Sequence, residues 1–410
     1  MRALLIALAT SASFHAQGQV HVVDAGGGPG TFPDIQDAVD AAVDGDLVLI
    51  RDGVYSDVAV TSKDLTLTAE LGAQPKVFGR LAVTGLSADQ HVLVRGLDVQ
   101  TPLWKAGSVL SANAGAVQFV DCVIQNGNLG QGFAPEALNV SDSAQVVFSS
   151  CELRGSVAGQ PIAGSGLVAT DSHVQAYDTQ FLAADGAQGE LGHAGHGAWM
   201  SGGSLFASGC AFLPGDGGNG VTIQVPGFEF CKDAGDGGSG VLLGASAAEP
   251  APLFRSLDCA FGAGTAGKAT QANCADGVPG QDVNVLAGQH LPQAGAARGL
   301  SASSPHRPGE LAPIVLSGEP GDFALLASAL APDELYLPGE TEPYLLDAAT
   351  SFVLLLGVIP ASGELALTPT IGALSGPQSV DLWLQGLFVD FGFALFLGAP
   401  SAVSLIDSAS

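Results

Sequence analysis

Positive charge is what this sequence has least of. Thirteen Lys and Arg stand against 40 Asp and Glu in 410 residues, a net charge of −27. Such a chain repels nucleic acid and anionic lipid, and it has few cations with which to hold an acidic glycan unless a metal bridges the two. Charged residues make up 13 % of the chain and hydrophobic ones 47 %, which excludes a disordered polyelectrolyte and leaves a globular chain long enough for two domains. Long apolar runs are missing beyond the N-terminus: none reaches about 18 residues, so no membrane span is expected. The C-terminal "SFVLLLGVI" is short and is bounded by Pro360. No CxxC or close His/Cys pair offers a zinc site. What is abundant is glycine, 57 residues, with 23 prolines and many Val, Ala, Ser and Thr. That mixture reads as short strands joined by turns, an all-β composition.

The N-terminus "MRALLIALATSASFHAQG" has one early Arg2, an apolar stretch from Ala3 to Ala9 and small residues up to Ala16 and Gly18. This is the order of a bacterial secretory signal, so residues 1–18 are expected to be a leader and the mature protein to be exported.

In "GTFPDIQDAVDAAVDGDLVLIRDGVYSDVAV", Ile35, Ala38, Val39 and Ala42 follow helical spacing behind Thr31, Pro33 and Asp34, read as cap, first-turn proline and dipole-compensating acid. A short amphipathic helix is predicted, then the strand "LVLIR", the turn "DGVY" and further strands. Helix, Gly-Asp, β run, Gly-x-Tyr, β run resembles the first coil of right-handed parallel β-helix proteins of the pectin-lyase-like superfamily. The resemblance covers about residues 20 to 300 and implies that the helix covers the open end of a stack of coils.

The stretch "VVFSSCELRG" recurs in altered form as "VQFVDCVIQNG", "VQAYDTQFLAADG", "LFASGCAFLPG" and "LFRSLDCAFGAG". Aligned on the small residue, Gly96, Cys122, Cys151, Thr179, Cys210 and Cys259 recur at intervals of 26, 29, 28, 31 and 49, the last gap holding an insertion. The period is that of β-helical coils. Alternation sends Cys151 and Leu153 to one face and Ser150, Glu152 and Arg154 to the other, so the cysteines are expected on an inward ladder as small hydrophobes. Thr179 fits that ladder if its hydroxyl finds a carbonyl.

Two cysteines fall off the ladder. Cys231 and Cys274 lie in Gly- and Asp-rich segments and are disulfide candidates in an exported chain, although six cysteines allow many connectivities. The near copies "GDGGNGV" and "GDGGSGV" lack the aspartate expected after the second glycine pair of a calcium-binding nonapeptide, and they read as wide turns. "GHAGHG" brings His193 and His196 close together, but polygalacturonase-like enzymes also need clustered aspartates and an "RIK"-type element. It reads as a His pair on a surface loop.

A catalytic constellation is expected only on the outward face, where alternation places Asp121, Glu152, Arg154, Asp178 and Gln180 across three coils. Resemblance to the pectate lyases implies Asp121, Glu152 and Asp178 as Ca²⁺ ligands, Arg154 as the proton-abstracting base and Gln180 as a substrate contact. Gly209 stands where a fourth acid would, no second Arg or Lys is near, and the lyase, methylesterase and polygalacturonase motifs are not present as units. A solvated acidic face with an ion pair between coils is the competing reading.

Pro305, Pro308 and Pro313 then mark a linker at 305–313, and residues 314–410 carry short apolar runs suited to a small β-sandwich. "IPASGELALTPTIGALSGPQSVDLWLQGLFVD" resembles a module that ends many exported proteins of planctomycete- or myxobacterium-like bacteria. The expected architecture is therefore all-β: leader 1–18, parallel β-helix 19–304 with its helical cap, linker, and β-sandwich. The expected role is an exported or cell-surface, non-catalytic protein that binds extracellular polysaccharide or builds the envelope. The alternative is a Ca²⁺-dependent polysaccharide lyase or a glycoside hydrolase.

Overall fold

The computed structural model describes residues 18–102, 105–127, 136–156, 163–188, 192–225, 228–244, 251–272, 274–336, 342–374 and 378–407. All of the expected leader but Gly18 falls outside them. Among the described residues a single helix, Ile35–Ala41, buries Ile35, Ala38 and Val39 against the first strands. Its N-cap is Asp34, whose side chain accepts the N–H of Gln36, so Pro33 stands before the cap rather than inside the first turn.

From Val58 on the chain repeats one pass of three strands. Leu81–Thr84, His91–Arg95 and Asp98–Thr101 form one pass, and Leu167–Thr170, His173–Tyr177 and Gln180–Leu182 a later one. Each strand pairs in parallel with its counterpart one pass on. Val140, Ala169, Met200 and Leu243 share one column. Phe148, Ala176, Ala207 and Ser256 share a second, and Leu153, Phe181, Phe212 and Phe261 a third. The first two columns merge in a 16-stranded parallel sheet through the long strands Ser108–Val120 and Leu138–Ser149, and the third is an eight-stranded parallel sheet. Residues of alternate parity point inward, and stacking puts like on like. The rings of Phe181 and Phe212 lie 4.8 Å apart, those of Phe212 and Phe261 5.5 Å, and His290 closes the series 4.7 Å from Phe254. Each fully buried ring contributes roughly 1.5–3 kcal/mol.

The corners explain the cysteines. Between the second and third strands Gly96, Asp121, Ser150, Asp178, Gly209 and Asp258 all take positive φ, 48 to 70°, a conformation that Gly, Asp and small polar residues tolerate best. The left-handed residue turns the chain, and the carbonyl before it accepts the backbone N–H of the corner residue one pass earlier, as Val120 does from Gly96 and Ser149 from Asp121, which leaves a second lone pair free. The next residue adds a second donor: the thiols of Cys122, Cys151, Cys210 and Cys259 donate to the carbonyls of Val120, Ser149, Ser208 and Leu257 at 3.3 to 3.4 Å. Thr179 does the same to Tyr177 at 2.8 Å. A small side chain with one donor is what the corner needs. Strand register pairs Val123 with Asp98. Leu97 therefore faces Cys122, and Gly96, which the repeat alignment put in the cysteine column, belongs to the corner before it.

The remaining strands are antiparallel. Gly299–Ala302, Ile314–Ser317 and Glu364–Leu367 make one sheet; Phe352–Val358, Phe323–Ala329, Ser379–Val389 and Leu395–Ile406 make another. Leu316, Leu326, Phe388 and Val403 share the core between them. The outer face of the larger sheet packs Trp383, Leu397 and Ala402 on Leu93 and Val120 of the parallel stack. Its place is thus along the flank of the stack. Arg95, 6 % exposed, bonds the carbonyls of Ala302 and Ala402 and pairs with Asp121 at 2.9 Å. Gly299–Ala302, assigned by sequence to the first unit, pairs with Ile314–Ser317. The expected linker between them carries His306, 1 % exposed, with its N–H on Ser404.

Candidate functional site

The five outward residues singled out in the sequence separate into two groups. Glu152 and Gln180 are register partners on neighbouring strands of the eight-stranded sheet, and Arg154 pairs with Glu152 within its own strand. That pairing, with Asp98 nearby, raises the Arg154 guanidinium above its ordinary value. Asp121 and Asp178 do not join them. Both are corner residues with φ 55° and 48°, and the corner rotates them off the strand face, because strand alternation does not continue through a left-handed residue. Asp121 is tied to Arg95. Asp178 faces the antiparallel unit: a carboxyl oxygen lies 3.3 Å from where a Cβ on Gly299 would stand. The loss of water around the carboxyl, and then the charge of Asp258, push it up to about 6, although the outer edge of the residue stays exposed. Among the described residues no group of three or more His, Cys, Asp or Glu side chains converges as a metal would require.

The same sheet face carries a feature that the sequence reading missed. Phe78, Gln100, Gln125 and Arg154 form one outward column, since Val77 pairs with Val99, Gln100 with Gln125, and Gln125 with Arg154. Phe78 is 52 % exposed. Beside it Gln100, Thr101, Pro102, Gln125, Asn126 and Gly127 line a shallow cavity of about 280 Å³. Asp98 orients the amides: its carboxylate accepts Gln100 Nε2 at 2.9 Å and Gln125 Nε2 at 3.5 Å. The signal lay in the spacing of one ring and two glutamines a pass apart, which is visible only once the register is known.

The glycine-rich returns are ordered, not wide turns. Gly192/Gly195, Gly215/Gly218, Gly235/Gly238, Gly264/Gly267 and Gly277/Gly280 each repeat at a three-residue step, the period of an extended polyproline-II-type chain. Backbone bonds run across the segments, from Gly215 N to Gly195 O, Gly238 N to Gly215 O, Gly264 N to Gly238 O and Gly280 N to Gly264 O. In the first three segments the residue after each of these glycines reaches the next segment but one. Asp216 Oδ1 and Asn219 Oδ1 accept the N–H groups of Thr265 and Lys268; Asp236 Oδ1 and Ser239 Oγ accept those of Val278 and Gln281. His193 and His196 accept those of Asp236 and Ser239 through Nδ1. The histidine pair and the twin "GDGG" segments are thus parts of one stack. Cys231 and Cys274 are joined as a disulfide across it.

No protein-family model matches the chain, and no curated protein is detectably similar to it in sequence.

Proposed function

We propose that this chain is an exported right-handed parallel β-helix protein, of the pectin-lyase-like kind, that binds extracellular glycan or builds the cell surface without turning a substrate over. The parallel columns and corner ladders support the architecture, and the leader-like N-terminus supports export. One observation carries the non-catalytic reading: Arg154 is held by Glu152 and its proton affinity is raised, the opposite of what a base for proton abstraction needs. The two corner acids meant to help bind calcium beside it belong instead to the contact with the antiparallel unit.

The test is a glycan array run with assays for reducing ends and for unsaturated sugar on the secreted protein. Binding without release of either product is expected. Chelator-sensitive release of unsaturated sugar that disappears in Arg154→Lys would replace this reading with a lyase.

A further inference from the structure

We infer that the column Phe78, Gln100, Gln125 on the outer face of the eight-stranded sheet is a subsite for an uncharged hexose chain; the inference rests on the glycan-binding reading above. Three observations converge. The first is an aromatic ring with 52 % of its surface in water, on a chain whose aromatics make up only 6 % and are used mainly in cores. A phenyl face that opens onto a cavity edged by side-chain amides suits the apolar C–H face of a pyranose. The second is the pair of amides. A sugar hydroxyl is donor and acceptor at once, and so is a carboxamide. With Asp98 holding one N–H of Gln100 and approached by one of Gln125, each amide keeps an acceptor oxygen and a second N–H for a ligand. The third is spacing. Neighbouring strands step by about 4.8 Å, close to the advance of one residue in an extended hexose chain, so one sugar would sit in the cavity that Phe78, Gln100 and Gln125 line together and the chain would run on along the column.

Charge selects the class. The column's one cation, Arg154, is occupied by Glu152, and the flanking column holds Asp98 and Glu152 against the single Lys76, which is paired in register with Asp98, so a uronate carboxylate would meet net negative charge where a neutral hexose is indifferent to it. The cavity of about 280 Å³ admits about one ring rather than a large ligand.

The experiment is calorimetric titration of the whole protein with oligosaccharides of glucose, mannose and galactose, beside oligogalacturonate, at low and moderate salt and with a chelator. A neutral oligosaccharide should bind with little dependence on salt or chelator. Phe78→Ala should weaken that binding about tenfold, the worth of one well-placed aromatic contact. Gln125→Ala should weaken it severalfold, while Trp199→Ala, at an exposed ring on the 16-stranded sheet, should leave it unchanged, all with melting temperature preserved. Neutral binding that survives both Phe78→Ala and Gln125→Ala would overturn this site while leaving the glycan-binding reading in place. Binding of oligogalacturonate alone would overturn the neutral class, and no binding by any glycan would remove the site and the glycan-binding reading together.

Discussion

His196 Nδ1 accepts the backbone N–H of Ser239 at 2.9 Å, across 43 residues of sequence. The bond exists only while Nδ1 is unprotonated, so the ring must be the neutral Nε2–H tautomer. Burial holds its pKa below the ordinary 6.5. Below that value the unfolded chain binds a proton that the native state resists, so His196 contributes stability that is complete above about pH 6.5 and is lost as pH falls. His196→Asn keeps an acceptor, as Asn219 does for Lys268, without titrating. Melting temperatures measured at pH 7 and pH 5 should show a smaller acid loss in this variant than in the parent. Equal losses would mean that the histidine does not report on the stack.

The glycine stack should be intolerant of a single methyl. A Cβ on Gly238 would stand 1.8 Å from the Gly195 carbonyl oxygen, a backbone atom that cannot move without shifting its whole segment. Gly238→Ala should therefore cost about 3 kcal/mol, read as an earlier denaturant midpoint. Gly28→Ala, whose Cβ would meet nothing closer than 3.5 Å, should be nearly silent. A tolerated Gly238→Ala would mean that these segments are the loose turns their composition first implied.

Much of the fold was legible in the sequence, and the reason is periodicity. The cysteine spacing gave the pass length, and alternation placed Cys122, Cys151 and Cys210 inside. What failed were arguments carried across a corner. Asp121 and Asp178 look like strand neighbours of Glu152 only if alternation runs through a residue with φ near 50°. The stack of Gly-z-x-Gly-z segments is equally visible, since z is His/His, Asp/Asn, Asp/Ser, Thr/Lys and Val/Gln in turn. It was missed because glycine signals flexibility when read one segment at a time, and becomes a packing requirement only when segments lie carbonyl to Cα. The Phe78 column and the flank packing of the antiparallel sheets depend on register between distant strands, which no local pattern encodes.

The ladder thiols should differ in reactivity by their place in the stack. Cys122, Cys151 and Cys210 are buried while Cys259 is half-buried near the last pass, and burial pushes the Cys151 and Cys210 thiols up, which suppresses the reactive thiolate. Labelling of the native protein should modify Cys259 first. Cys151→Ser should be mild, because a hydroxyl can donate to Ser149 as Thr179 does to Tyr177. Cys151→Val removes the donor and should cost about 1 kcal/mol more than the serine variant. A valine variant as stable as the serine one would show that the corner needs only bulk.

Asp178 should act against His196 on acidification. Its folded pKa, about 6, lies above the ordinary carboxylate value of 3.8, so between these values the native state binds more protons than the unfolded chain. Stability from this site then rises as pH falls from about 6 towards 4, and is withheld at neutral pH, where a charged carboxylate must sit beside Gly299 and near Asp258. Asp178→Asn should raise the melting temperature at pH 7 by about 1–3 °C, a gain limited by the exposed outer edge of the residue, and should do little at pH 4. Because the two terms have opposite sign and offset each other in the parent, the two single variants should shift the pH profile in opposite directions, and the double variant should lie between them. If Asp178→Asn gains nothing at pH 7, the carboxyl is solvated and the contact at Gly299 is looser than its geometry indicates.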